Sequence, residues 1–327
     1  MAKIGAGSSG WPDFLIIGAP KAGSSALHAA LAAHPQLRLS NPKEPKYFMC
    51  GDAPPPLYTG PGDAHSRREW IWRRDEYNRL FRGAPPGTLT GESTPFYLFD
   101  LEAQRRIARA IPKAKLIAVL RDPVDRAYSN WMHLWADGLE PKADVVAACN
   151  AEAERVRGGW APFWRYRELG SYGQQLESLH SLFPAEQILV VRYRDLVKEP
   201  RNTLARVCAF LDVDDNAVDS VPRDNTRPFV APGPRRYLVS RMITAGAGAG
   251  AFFRPQLWRR TSRPLLRFLH IGQPATRPKL DPAQRAEILD PILPDIDLLE
   301  KVTGEDFSDW RDLSSGGSFS SRTSMGQ

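Results

Sequence analysis

Phe14-Leu-Ile-Ile-Gly18-Ala-Pro-Lys-Ala-Gly-Ser-Ser25, followed by Ala26-Leu-His-Ala-Ala-Leu-Ala-Ala33, is the stretch on which the fold turns. An apolar run bounded by turn residues has the pattern of a strand buried on both faces, as in a parallel sheet. The Ala/Leu-rich segment after it has the composition of a helix. Between the two, a Gly/Pro/Ser turn leads backbone N–H groups to a helix N-terminus, where the helix dipole favours a phosphate. Gly23 lets the backbone approach closely, Ser24 and Ser25 add hydroxyl donors, and Lys21 supplies positive charge. The order of residues separates this loop from the GxxxxGKS/T loop of nucleotide triphosphatases. Here Lys21 precedes Gly23, and no GKS or GKT follows.

Outward from this corner, the alternation continues. Lys115-Leu-Ile-Ala-Val-Leu120 reads as a second buried strand and leads through Arg121-Asp-Pro into a helix from about Val124. Gln187-Ile-Leu-Val-Val-Arg192 reads as a third, after a helical stretch at 172–183 and before another at 200–211. Helical periodicity returns from Leu280 to Leu299, whereas 50–65 is rich in Pro and Gly and reads as an irregular loop. Strands alternating with helices predict an α/β fold, a three-layer α/β/α arrangement around a central parallel sheet with a phosphate-binding loop. The expected domain spans 13–312, with a disordered-composition tail at 313–327.

Composition narrows the classes. The 327 residues are 42% hydrophobic and 25% charged, enough to bury a large core. No apolar run reaches the length of a membrane span. The opening MAKIGAGSSGWPD lacks the apolar core of an export signal. Cys50, Cys149 and Cys208 are scattered, with neither metal-ligand spacing nor a disulfide framework, so a cytoplasmic, metal-free protein is expected. Net charge is +7, but residues 225–280 hold eleven Lys or Arg and no Asp or Glu. Without them the chain would be net negative, which argues against a nucleic-acid binder.

The second chemical motif is Leu120-Arg121-Asp-Pro-Val-Asp-Arg126-Ala-Tyr-Ser129-Asn-Trp-Met-His133. A strand-end arginine can grip a phosphate through two N–H groups, or it can pair with Asp122 or Asp125. Ser129 and His133, four residues apart, share a helix face. Together with the 18–25 loop, this motif resembles the PAPS-dependent sulfotransferase superfamily, whose sulfuryl donor is 3′-phosphoadenosine 5′-phosphosulfate (PAPS). Further segments resemble its branch containing the heparan sulfate N- and 3-O-sulfotransferases and their bacterial relatives. Asn41-Pro-Lys-Glu44-Pro-Lys-Tyr-Phe48 is similar to a KEP-x-(F/Y)-F segment, and Gly91-Glu-Ser-Thr-Pro-Phe-Tyr97 to a GE-(K/S)-(S/T)-P-x-Y segment. Gly170-Ser-Tyr172, Pro184 to Pro200, and Asp295 to Trp310 resemble later stretches of that branch.

The resemblance implies roles. Lys21 would contact the phosphosulfate bridge, while Ala22, Gly23, Ser24 and Ser25 hold the 5′-phosphate. Arg121 and Ser129 would bind the 3′-phosphate. Glu44 matches the catalytic carboxylate, and His133 a histidine important in the N-sulfotransferases. Arg235-Arg236-Tyr237 is similar to a K-G-R-x-Y loop over the 3′-phosphate, although Gly233 stands at its leading lysine. Ser93 stands where the 3-O-enzymes carry lysine, which argues against a polyanionic glycan acceptor.

The implied activity is transfer of a sulfuryl group from PAPS to a hydroxyl or, less favoured, an amine of a carbohydrate, glycolipid, lipid or other small molecule, releasing PAP (adenosine 3′,5′-bisphosphate). A carboxylate base works best when partly withdrawn from water, so Glu44 should be partly buried. Two alternatives stand beside it: a phosphate-loop nucleotide kinase, and a non-catalytic anionic-lipid binder built on 225–280. The arginines and bulky apolar residues of 225–280 would also suit peripheral contact with the inner face of a membrane. His28 and His34 are expected to serve packing or the surface. Trp70, Trp72, Trp160 and Trp164 are candidates for an acceptor cleft, with packing as the default.

Overall fold

A computed structural model describes residues 10–61, 69–222, 231–233, 235–242 and 278–313. One five-stranded parallel sheet is formed by β1 (Phe14–Gly18), β2 (Leu37–Leu39), β3 (Leu89–Ser93), β4 (Lys115–Leu120) and β5 (Ile188–Arg192). The strand order is β2-β3-β1-β4-β5. The helices that position the site are α1 (Ser24–Ala32), α2 (Leu101–Ala110), α3 (Pro123–Ala136), α4 (Tyr172–His180), α5 (Pro200–Leu211), α6 (Pro282–Leu289) and α7 (Leu293–Thr303).

The period of two along β1 sorts its side chains between two cores. Phe14 and Ile16 join Leu27 and Leu31 of α1 and Leu204, Val207 and Leu211 of α5 on one face. Leu15 and Ile17 join Ile107 of α2, Trp131 of α3, Leu176 of α4 and Leu299 of α7 on the other. Helices therefore cover both faces, and the three-layer α/β expectation holds. Every residue of β1 is buried, as the apolar run predicts.

The three strands read from sequence are β1, β4 and β5; β2 and β3 are additional. The expected helix at Leu280–Leu299 is divided, because Asp290–Ile292 forms a 3₁₀ turn between α6 and α7. Pro291 and Pro294 lack the N–H that an unbroken helix would need. Among the described residues no helix is long and apolar enough to cross a membrane. The three cysteines are free and buried. The tail beyond Leu313 and most of 225–280 lie outside the described residues, as does the membrane-contact expectation placed there.

The chain runs from β1 outward to β2 on one side, and from β4 to β5 on the other. The strand order thus reverses between β1 and β4, and open α/β sheets place ligands in the crevice beyond that point. The loops leaving β1 and β4 are those carrying Lys21 and Arg121.

Candidate active site

The loop after β1 is anchored by the Ala19 N–H donating to the Val119 carbonyl at 2.7 Å, which ties it to β4. Lys21 (φ 66°) and Gly23 (φ 97°) both turn left-handed, and Gly23 is the N-cap of α1. A Cβ at position 23 would lie 2.7 Å from Cδ2 of Tyr193, so glycine is needed for space as well as for conformation. Because the N-cap has no side chain, none caps the first amides of α1. This is the state an anion-binding helix terminus requires. Ala22 and Ser24 are buried, Lys21 is half-buried, and Ser25 is exposed.

From the end of β4, Arg121 donates from its guanidinium to the Lys21 carbonyl at 3.2 Å. The same guanidinium lies 4.7 Å from the centroid of the Tyr193 ring, a cation–π contact that fixes its plane. Its backbone carbonyl accepts from the Tyr172 hydroxyl at 3.0 Å. The alternative partners considered for Arg121 are engaged elsewhere. Asp122 caps α3 by accepting from the Val124 and Asp125 amides at 2.9 Å, and it pairs with the buried Arg285 of α6. Asp125 lies 4.0 Å from the same Arg285. Arg121 is therefore directed to the 18–25 loop rather than to a carboxylate.

Ser129 and His133 follow on α3, both half-buried. The His133 imidazole sits 3.7 Å from Asp137 and meets Phe163 edge-on at 5.5 Å. Phe163 in turn meets Phe96 at 5.8 Å, a chain of rings from α3 to the segment after β3.

Glu44 lies at the neighbouring strand end. Its amide donates to the Ser93 carbonyl at 3.1 Å, and its side chain is 30% exposed, in keeping with partial burial. The carboxylate also forms an ion pair with Lys43 at 2.5 Å. Beside this pair, His28 Nδ1 and Ser93 Oγ share a hydrogen bond of 2.7 Å. Burial and then Lys43 push the His28 imidazole down to about 4, with Glu44 opposing, so it is neutral at neutral pH. The packing expectation for His28 is thus incomplete, since this side chain faces the serine beside Glu44. His34 fits its structural expectation, bonded to the Asp214 carbonyl at 2.7 Å.

Residues 235–242 are helical and lie against the end of α3. Tyr237 stacks on Trp135 at 5.3 Å, and the Gly138 Cα faces the backbone of Arg241 so closely that a Cβ there would lie 2.3 Å from its nitrogen. Arg235 is exposed and Arg236 half-buried. No described contact joins these three to Lys21 or Arg121, so geometry groups Lys21–Ser25 with Arg121, and Glu44 with His28 and Ser93. The tryptophans mostly pack: Trp70 is buried under Lys46, and Trp160 meets Trp164 edge-on at 5.6 Å. Tyr193, which orients Arg121, and Glu92, buried beneath Glu44, were not singled out by sequence reasoning. A tyrosine just after the third predicted strand was the available signal for the first; the GES segment held the second.

The chain is similar to known sulfotransferases. A family model described as "Sulfotransferase family" matches residues 57–217, a range that includes Arg121, Ser129 and His133. The mouse (Mus musculus) heparan sulfate glucosamine 3-O-sulfotransferase 3B1 is 32% identical over 208 residues, covering 63% of this chain and 47% of that protein. The mouse bifunctional heparan sulfate N-deacetylase/N-sulfotransferase 4 is 31% identical over 214 residues, covering 62% of this chain and 22% of that protein. The chain thus spans about half, or less, of the length of these curated relatives. A crystal structure of a sulfotransferase from Alicyclobacillus acidocaldarius superposes with a TM-score of 0.70 at 29% identity, covering 92% of this chain and 99% of that one.

Proposed function

Because the chain belongs to the PAPS-dependent sulfotransferase superfamily, we propose that it transfers the sulfuryl group of PAPS to an acceptor hydroxyl and releases PAP. The observation that carries the reading is the convergence of two anion-binding elements at the β1/β4 crevice. One is the N-terminus of α1, which no side chain caps, and the other is Arg121, bonded to the Lys21 carbonyl and, among the described residues, in no ion pair with a carboxylate. In this reading the amides and hydroxyls of Gly23, Ser24 and Ser25 hold the 5′-phosphate, and Arg121 and Ser129 hold the 3′-phosphate. Arg235, Arg236 and Tyr237 belong to the donor side only if the helix at 235–242 reaches it.

The chemistry assigned to the chain is in-line displacement at sulfur. The acceptor oxygen forms a new S–O bond while the S–O bond to the departing phosphate breaks, and the acceptor proton passes to Glu44. Charge gathers on the departing oxygen, which Lys21 and the loop amides are assigned to meet, and donors held in place by the fold need little reorganisation as the bond breaks. Lys43 holds the Glu44 carboxylate by an ion pair until the proton arrives. His133 is the second candidate for orienting the acceptor.

The groups beside Glu44 support one reading of the acceptor. Ser93 and a neutral His28 offer hydrogen bonds without charge, which suits an uncharged hydroxyl of a carbohydrate, glycolipid or lipid alcohol better than a polyanion. Thermal unfolding with ligands tests the donor assignment. PAP should raise the melting temperature, and ATP with Mg²⁺ far less, since only a ligand bound by the native state stabilises it. Arg121→Ala should remove most of the PAP shift. Equal shifts with PAP and ATP would return the protein to the kinase class.

A further inference from the structure

The loop bearing Glu44 is unusual in its backbone. Glu44 and Lys46 both have φ of 61°, in the left-handed region that side chains disfavour, with Pro45 between them. Two such residues so close persist only where surrounding contacts over-determine them. Four hydrogen bonds do so here. The Glu44 amide donates to the Ser93 carbonyl and the Ile71 amide to the Pro45 carbonyl. The Lys46 amide donates to Thr94 Oγ1, and the Phe48 amide to the Tyr97 hydroxyl, each at 3.3 Å.

The last two are relays, and both end on Glu92. Thr94 Oγ1 donates to Glu92 Oε2 at 2.7 Å, and the Tyr97 hydroxyl donates to Oε1 at 2.8 Å. A hydroxyl carries one proton. Once that proton is committed to a carboxylate, the oxygen has only lone pairs to offer, and a backbone N–H is the fitting partner. We propose that Glu92 is a positioning residue for Glu44: its carboxylate fixes the direction of two hydroxyls, and these hold the loop that presents Glu44. The effect on turnover rests on the reading of Glu44 as the proton acceptor, whereas the effect on the loop does not.

Glu92 is fully buried, and no Lys or Arg forms an ion pair with it among the described residues. The groups around it are the Tyr77 hydroxyl, donating at 2.9 Å from the helix Arg74–Arg79, those of Thr94 and Tyr97, and the Glu44 carboxylate beyond. Tyr47, from the helix Tyr47–Cys50, stacks on Tyr77 at 4.4 Å. Burial raises the Glu92 carboxyl to about 7; the three hydroxyls oppose the rise and Glu44 adds to it. A protonated Glu92 must itself donate, and where it donates to Thr94 or Tyr97 that hydroxyl is turned around and its relay is weakened. The native state then holds a proton that the unfolded chain releases near 4.5, so Glu92's contribution to global stability falls as pH rises from about 4.5 to about 7. Loop order moves the other way, improving as Glu92 ionises. A carboxylate that merely fills the core would not divide the two.

The test is amide hydrogen exchange, read at Lys46 and Phe48 in the full chain and expressed as protection relative to the unfolded rate. Tyr97→Phe should lower protection at Phe48 about tenfold, and Thr94→Val at Lys46. Glu92→Gln should lower at least one of the two. Tyr77→Phe, which removes a hydrogen bond to the same carboxylate but touches neither amide, should leave both within about threefold. In the wild type, protection at these amides should drop as pH falls through 7, and in Glu92→Gln it should not. Unchanged protection in both Tyr97→Phe and Thr94→Val overturns the proposal, and so does equal loosening in Tyr77→Phe; both relay variants remain informative even if Glu92→Gln does not fold. Transfer of label from ³⁵S-PAPS to components of a cell extract forms the second arm. Label transfer retained in full by Glu92→Gln would detach Glu92 from turnover. No transfer by the wild type would count against the proposed function while leaving the exchange result standing.

Discussion

Gly23→Ala puts the loop geometry to its sharpest test. The left-handed conformation at φ 97° costs an L-residue roughly 1–2 kcal/mol. The added methyl would sit 2.7 Å from Cδ2 and 3.0 Å from Cε2 of Tyr193, and such overpacking costs about 1–3 kcal/mol. A loss of about 3 kcal/mol in folding stability is expected, measured by urea denaturation. The ring cannot move aside without consequence, because it is the surface on which the Arg121 guanidinium rests. Displacing it forfeits a cation–π contact of about 0.5–2 kcal/mol and misaligns Arg121. PAP affinity, by titration calorimetry, should therefore fall about 30-fold, which corresponds to about 2 kcal/mol. Tyr193→Ala separates the contributions. If the clash is real, the double variant should be more stable than the sum of single effects predicts, by about 1–2 kcal/mol. Wild-type stability and PAP affinity in Gly23→Ala would refute the loop conformation. Strict additivity would exonerate Tyr193 as the obstacle.

Glu44→Gln should keep PAP affinity within about twofold while lowering label transfer from PAPS by about 10²-fold or more, the range for loss of a general base; full activity would move the search for the base to His133. Arg155→Ala should destabilise the fold by about 3–5 kcal/mol in urea denaturation, because it strands the buried Glu140 carboxylate, which now accepts from Arg155 at 2.6 and 2.9 Å.

The legibility of this chain differs sharply between adjacent strands. β1 is readable because it carries no polar side chain, β4 because only Lys115 interrupts its apolar run, and their loops because a phosphate site, as proposed here, constrains backbone as well as side chain. The adjoining β3, Leu89-Thr-Gly-Glu-Ser93, sits between β2 and β1 and is just as buried toward its end. Glycine and glutamate are both poor strand formers by propensity, so nothing in a period-two pattern marks it. Tertiary context reverses each penalty. Gly91 makes room for Phe14, whose ring would otherwise meet a Cβ at 2.3 Å. Glu92 is tolerated because three hydroxyls, from positions 77, 94 and 97, converge on it. Such convergence is a property of the folded chain, and no local window contains it.

That contrast bears on how the site is divided. Lys21, Gly23 and Arg121 are the residues proposed to serve the donor, and their spacing was legible because a phosphate imposes one geometry on many chains. On the acceptor side, Glu44 stands on a left-handed turn, Ser93 ends a strand that sequence did not reveal, and His28 reaches across from α1. Each of these depends on β3 lying between β1 and β2. Position 93 is the clearest case: its uncharged hydroxyl bonds an imidazole whose pKa burial lowers to about 4, so neither group is charged at neutral pH. Under the proposed function, the donor half of the reaction would rest on a loop and an arginine, while the choice of acceptor would fall to a strand whose residues make sense only in their folded company.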